Sequence, residues 1–250
     1  MKRYAFAIVV VALAGLGMSS RGQTATALPA GFVQLKEVAP TVRQDMRYAT
    51  TFNFTGKRLP GYEAADCILW RPAAEALARA EARFAAQGFH LKVYDCYRPA
   101  RAVRAFLAWS RMPDQDTRKS VFYPDLDKRW LFALGYIATR SKHSLGIAID
   151  VGLVRAEEAN QPTPTDAGRC DGPFEMRARE SSLDFGTAYD CFSKVSETLH
   201  PAISLQARAN RNRLLRILKD EGFANYFREW WHFEFRSSAA PDKAYDFLVR

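Results

Sequence analysis

The stretch Ser141-Lys142-His143-Ser144-Leu145-Gly146-Ile147-Ala148-Ile149-Asp150-Val151 decides how this chain is read. From Ile147 to Val154 the residues are almost all apolar, and strand alternation sets Ile149 and Val151 on one face, with Ala148, Asp150 and Gly152 on the other. Asp150 therefore interrupts an otherwise apolar strand. A carboxylate buried there without a partner is costly, so it needs a cation, a hydrogen-bond network or a metal. His143 precedes it, and Gly146 between them allows the backbone to turn sharply into the strand. These residues alone leave two readings open: a hydrogen-bonded His–Asp pair, or two ligands of one ion.

A second stretch, Glu229-Trp230-Trp231-His232, bears on that choice. Residues three apart face opposite sides of a regular strand, so Glu229 and His232 converge only if the chain turns or bulges near Glu229. A glutamate walled in by two indoles would have its pKa raised, as a general base working near neutrality requires. Core aromatics beside a surface glutamate are the competing reading. Together His143, Asp150 and His232 make a three-ligand set with a fourth position open, the catalytic rather than the structural pattern for zinc. Imidazole and carboxylate ligands suit zinc, and ligand type leaves Mn, Co and Ni open. The other histidines, His90 and His200, sit in no ligand-like spacing and are read as structural. Trp70, Trp109 and Trp130 are read as core or helix-face residues.

Working outward, Pro72 to Gln87 predicts a helix with Leu77, Ala80 and Phe84 on one face, stopped by Gly88. Leu91 to Tyr97 predicts a strand with Leu91, Val93 and Asp95 on one side. Pro99 opens a second helix striped by Val103, Phe106, Leu107 and Trp109, which leaves Arg98 at a strand-to-helix junction where a side chain can reach a cleft. Gly31 to Thr50 reads as a short strand and turn, and Asn53 to Gly61 as a loop. Arg155 to Asp190 is a long polar excursion, of a length usually kept for lids or substrate-binding loops. Asn210 to Asp220 predicts a helix burying Leu214, Leu215 and Leu218, and Trp230 to Phe235 the last strand. The pattern lacks the strict alternation of a doubly wound sheet, so the fold class is α+β: a small, mainly antiparallel sheet with helices packed against one side.

The whole chain, 250 residues with 48% hydrophobic and 25% charged, suits one globular domain over residues 28–250 and excludes disorder and collagen-like structure. Residues 1–27 read as an export signal: Lys2 and Arg3, an apolar run from Tyr4 to Met18, then Ala25-Thr26-Ala27 as a cleavage site. An uncleaved anchor is the alternative, and no other stretch is expected to cross a bilayer. The net charge of +9 falls to +6 if Lys2, Arg3 and Arg21 leave with the signal. So small and dispersed an excess argues against nucleic acid as a partner. In an exported protein four cysteines are expected to be oxidised, and Cys67–Cys96 with Cys170–Cys191 closes two moderate local loops.

The two motifs, Ser-x-His-x-x-Gly-x-Ala-x-Asp at 141–150 and Glu-Trp-Trp-His at 229–232, resemble the zinc peptidases that include D-alanyl-D-alanine dipeptidases and D,D-carboxypeptidases. More distantly the fold resembles hedgehog signalling domains. Met46-Arg47-Tyr48-Ala49-Thr50 with Asn53-Phe54-Thr55-Gly56, then Asp95-Cys96-Tyr97-Arg98-Pro99, then Gly222-Phe223-Ala224-Asn225-Tyr226 narrow the likeness to the dipeptidase branch, over about residues 32 to 236. The resemblance implies one zinc ion on His143, Asp150 and His232, Glu229 as catalytic acid/base, and Arg98 stabilising the transition state. It also implies substrate contacts from Ser141 and from Asp190, with Asp184 as a rival to the latter. The implied substrate is the dipeptide D-alanyl-D-alanine, handled in the periplasm or cell envelope. A peptidoglycan D,D-carboxypeptidase or endopeptidase on the same site, and a non-catalytic envelope-binding module, are the alternatives. The excursion from Arg155 to Leu183 looks longer than the family's usual connection, and so bears on the shape of the pocket mouth.

Overall fold

In the computed structural model, which describes residue 1 and residues 27–113, 116–158, 167–178 and 180–250, the elements run β1 (Phe32–Gln34), α1 (Leu35–Val38), β2 (Arg43–Gln44), β3 (Ile68–Trp70), α2 (Arg71–Ala85), β4 (Phe89–Asp95), α3 (Ala100–Ser110), α4 (Lys119–Phe122), β5 (Ala148–Arg155), α5 (Leu205–Asp220), β6 (Phe223–Asn225) and β7 (His232–Phe235). The apolar segment read as an export signal lies outside the described residues. Among the described residues no helix is long and apolar enough to cross a membrane.

Five strands form one sheet in the order β2-β4-β5-β7-β6, and β1 pairs with β3 in a separate antiparallel ribbon. The α+β class holds, and the sheet is mixed: β2 runs parallel to β4 while the other pairs are antiparallel. The strand carrying Asp150, β5, occupies the centre. Its Ile149, Val151 and Leu153 join Leu91 and Val93 of β4 in a core shared with Leu77, Ala80 and Phe84 of α2 and Leu214, Ile217 and Leu218 of α5. That burial is what fixes the register, since a slip by one residue would turn the apolar set to the opposite face. Asp150 is thereby held on the other side.

One irregularity redirects a side chain. Val93 pairs with Val151, yet Asp95 pairs with Asp150, so Tyr94 is an extra residue bulged out of β4. Simple alternation groups Asp95 with Leu91 and Val93; the bulge instead brings it round to Asp150.

The helices start and stop for local reasons. α2 has Pro72 in its first turn, and α5 begins earlier than Asn210, where the Ser204 hydroxyl accepts from the Ala207 amide. The first turn of α5 exposes Leu205 and Gln206 and so carries no apolar stripe, while farther along Arg211 is buried and donates to the carbonyls of Phe185, Val195 and Glu197. Leu107 and Leu215 are only partly buried. Trp109 is in the core, whereas Trp130 lies on a short 3-10 helix with 60% of its surface exposed.

Both expected disulfides, Cys67–Cys96 and Cys170–Cys191, are present. The second ties the excursion after β5 to the segment ending at Asp190. His90 is structural as expected, its Nδ1 lying 2.6 Å from the Glu81 carboxylate.

Candidate metal centre and catalytic cleft

His143 is delivered by a 3-10 turn, Lys142–Leu145, whose first amides need a cap. Ser141 provides it, its hydroxyl accepting from the His143 amide at 3.2 Å. Gly146 ends the turn at φ +71°, and a Cβ there would sit 2.3 Å from the Phe32 ring, so glycine is required twice over. The chain then enters β5 and presents Asp150.

The third residue arrives by the turn that the Glu229–His232 spacing demanded. The Glu229 amide donates to Tyr226 and the His232 amide to Glu229, so β7 begins at His232 and the two tryptophans belong to the turn. Asn225 clamps this turn, its amide donating to the carbonyls of both Glu229 and His232. Trp230 stacks on Phe185 with its indole N–H donating to Thr187, while Trp231 lines the cleft.

Three donor atoms meet at the end of these elements. His143 Nε2 lies 3.2 Å from His232 Nδ1 and 3.3 Å from Asp150 Oδ1, and His232 Nδ1 lies 3.0 Å from Asp150 Oδ1. Donors spaced tetrahedrally about zinc at ~2.0–2.1 Å stand about 3.3 Å apart, so the triangle has the dimensions such an ion requires. His143 Nδ1 donates to the Cys96 carbonyl at 2.7 Å, which leaves Nε2 as the lone-pair nitrogen toward the cluster. His232 has its other nitrogen 3.6 Å from Glu234. Burial opposes a charge on His232, but the Asp150 and Glu234 carboxylates, accepting from its ring, push its imidazole up to about 10. The spot attracts positive charge. These three residues fit a divalent cation.

Around the triangle lie the other expected residues. Glu229 Oε2 is 3.9 Å from His232 Nδ1, and burial pushes its carboxyl up to about 8. Arg98 extends to within 3.5 Å of Asp150 Oδ2, with its guanidinium over the rings of Tyr48 and Phe106. Its backbone amide donates to the His143 carbonyl, which ties the two motif segments together. Asp190 accepts from Tyr48 at 2.9 Å and has a left-handed backbone, φ 58°. Burial, and then the charge of Asp150, raise the Asp190 carboxyl well above the usual range. Asp184 is engaged elsewhere, by Arg177 at 2.8 Å, and does not line the cleft.

Asp95 was not singled out from the sequence as a site residue, because its bulge is invisible there. It is fully buried and accepts from Tyr62 at 2.6 Å and from Arg98 Nε at 2.9 Å, with His143 Nδ1 at 3.4 Å. Burial raises its pKa even against the pull of Arg98 and His143. Its neighbours make it the group that orients Arg98.

All seven expected residues line one cavity of about 250 Å³. Its mouth differs from expectation. Among the described residues none between 155 and 183 lines it; the segment from Gly135 to Lys142, with Tyr226, does so instead. The two segments meet where the Tyr226 hydroxyl donates to the Gly135 carbonyl at 2.9 Å.

Comparison with known proteins points to one family. The family model described as D-ala-D-ala dipeptidase matches residues 29–168 and 159–250. The chain is 34% identical over 220 residues to the D-alanyl-D-alanine dipeptidase of Enterococcus faecium, covering 88% of this chain and 98% of that one. The protein of the same description from Streptomyces coelicolor is 33% identical over 218 residues, 87% of this chain and 98% of its own. That of Escherichia coli is 30% identical over 208 residues, 83% and 86% respectively.

Proposed function

The chain belongs to the D-Ala-D-Ala dipeptidase family of metallopeptidases, and on that premise we propose that it hydrolyses D-alanyl-D-alanine to two D-alanines with one zinc ion on His143, Asp150 and His232. The observation that carries the reading is the triangle of donor atoms, 3.0 to 3.3 Å on a side, lining the cleft. Zinc, when bound, supplies a Lewis acid that polarises a carbonyl and makes water acidic.

The protein's own groups do the rest. Glu229 takes the proton of the attacking water and returns it to the leaving amine; a carboxyl held at about 8 by burial suits a group that must both gain and lose a proton near neutrality. Arg98, fixed by Asp95 below and by the Tyr48 and Phe106 rings, keeps its guanidinium ready for the oxyanion. Asp190 meets the substrate ammonium, which brings the countercharge its buried carboxyl lacks. Ser141 and nearby backbone donors meet the carboxylate. A cavity of about 250 Å³ falls below the ~300–1,000 Å³ of pockets that take drug-sized ligands, which favours a dipeptide over a peptidoglycan strand.

Two disulfides support an oxidising compartment, and with the signal-like residues 1–27 they support export to the periplasm or envelope and a role in cell-wall peptide turnover. The deciding experiment compares purified protein on D-Ala-D-Ala, L-Ala-L-Ala and a pentapeptide stem, with and without chelator. D-Ala-D-Ala alone should be cut well, the activity should vanish with chelator, and stoichiometric zinc should restore it. Chelator-resistant turnover, or faster cleavage of the stem, would overturn the assignment.

A further inference from the structure

A second cavity, of about 600 Å³, lies against the catalytic one and shares Arg140, Ser141 and Lys142 with it. Its remaining wall includes Arg104 and Lys243, with Asp242 as the one acid. Arg104 is paired with Asp246 at 2.8 Å. Arg140 and Lys243 have no ion-pair partner among the described residues, while Lys142 is near enough to Glu234 to help hold that carboxyl below its usual range. A fourth group points the same way. Ser144 lines this cavity, is 2% exposed, and its hydroxyl has no hydrogen-bond partner among the described residues. A buried hydroxyl left unpaired is costly, and cations gathered on a concave wall concentrate anions.

We propose that this cavity receives an acidic side chain carried by the residue after the scissile bond, so that among dipeptides with a long leaving side chain the enzyme prefers the acid to its amide. The proposal rests on the peptidase reading above. With the ammonium end of the substrate at Asp190, charge pairing directs the carboxyl half toward the segment 140–142 that separates the two cavities. A long acidic side chain on the leaving residue is then directed past that segment toward Lys243, on the exposed wall of the second cavity.

The test measures kcat/KM of the zinc-loaded full chain on D-Ala-D-glutamate and D-Ala-D-2-aminoadipate, against their amide counterparts and D-Ala-D-Ala. The acids should be preferred over the amides by about tenfold, ~1.4 kcal/mol, and the preference should fade as salt is raised. Lys243 lines only the second cavity, so Lys243→Glu should abolish the preference and leave D-Ala-D-Ala turnover unchanged, with Lys243→Ala intermediate. Equal rates for acid and amide, or a preference that survives Lys243→Glu, would overturn this inference while leaving the dipeptidase reading intact. Failure to cut D-Ala-D-Ala at all would overturn both.

Discussion

Two groups of buried charges sit on the same side of β4, and they are balanced differently. In one, Asp45 and Glu180 face Arg47 and Lys92, two acids against two bases; Asp45 lies 2.9 Å from Arg47 and 3.0 Å from Lys92, and Arg47 also pairs with Glu180. In the other, four buried carboxylates, of Asp95, Asp150, Asp190 and Glu229, have Arg98 as their one buried permanent cation among the described residues, and two imidazoles. A pair of stacked tyrosines divides them, Tyr94 donating to Glu180 and Tyr189 to Asp150. Titration follows the balance. Burial opposes the charge on Asp45, yet Arg47 and Lys92 hold its carboxyl below the usual range, whereas Asp190 and Glu229 are pushed up. A self-neutralised group needs nothing further; one with surplus acids awaits a divalent ion and a substrate ammonium.

The largest effect expected is on the proton carrier. Glu229→Gln should lower kcat by about 10²–10⁴, the usual yield of general acid–base catalysis, with zinc content by elemental analysis still one per chain. Near-normal kcat would remove Glu229 from its role.

A matched pair of substitutions then sets the two groups against each other. Asp45→Asn leaves Arg47 and Lys92 buried beside too little negative charge, and urea unfolding at neutral pH should show a loss of ~3–5 kcal/mol. Because the folded pKa of Asp45 is depressed, its contribution is present above the unfolded value of 3.8 and is lost as pH falls through the folded value. The gap between wild type and variant should therefore close below about pH 4. Asp190→Asn makes the same atomic change where the charge is already disfavoured. Stability should hold to within ~0.5 kcal/mol, while KM for the dipeptide rises about tenfold or more. Equal destabilisation by both substitutions would erase the distinction between the groups.

A last effect concerns the buried residue that the bulge turns toward Asp150. Asp95→Asn keeps the shape but weakens the hold on Arg98 and the field behind His143, so zinc affinity or kcat should drop about 10–100-fold, as for other groups that orient a metal's ligands. Chelator competition and steady-state kinetics separate the two. No change in either would make Asp95 a packing residue.

Much of this was legible in advance because it obeys short-range rules. The apolar period identified α2, β4 and β5, and the impossibility of Glu229 and His232 sharing a strand face predicted the turn that Asn225 clamps. The misses have equally physical causes. Alternation puts Asp95 on the apolar face with Leu91 and Val93, because a one-residue bulge leaves no mark in it. The first turn of α5 leaves no apolar stripe to read, since Leu205, Gln206 and Ala209 are exposed and the Ser204 cap holds it instead. The cleft mouth was sought in the long excursion, whereas Gly135 to Lys142 lines it.

From the sequence alone came the donor types, their order and the face of the strand on which Asp150 lies, since residue chemistry and a period of two are local properties of the chain. Tertiary structure alone decided the spacing of the donor triangle, the recruitment of Asp95 and the second, basic cavity. These depend on which distant segments meet across the sheet, and burial of the opposite, apolar face fixes that meeting without leaving a periodic trace at the site itself.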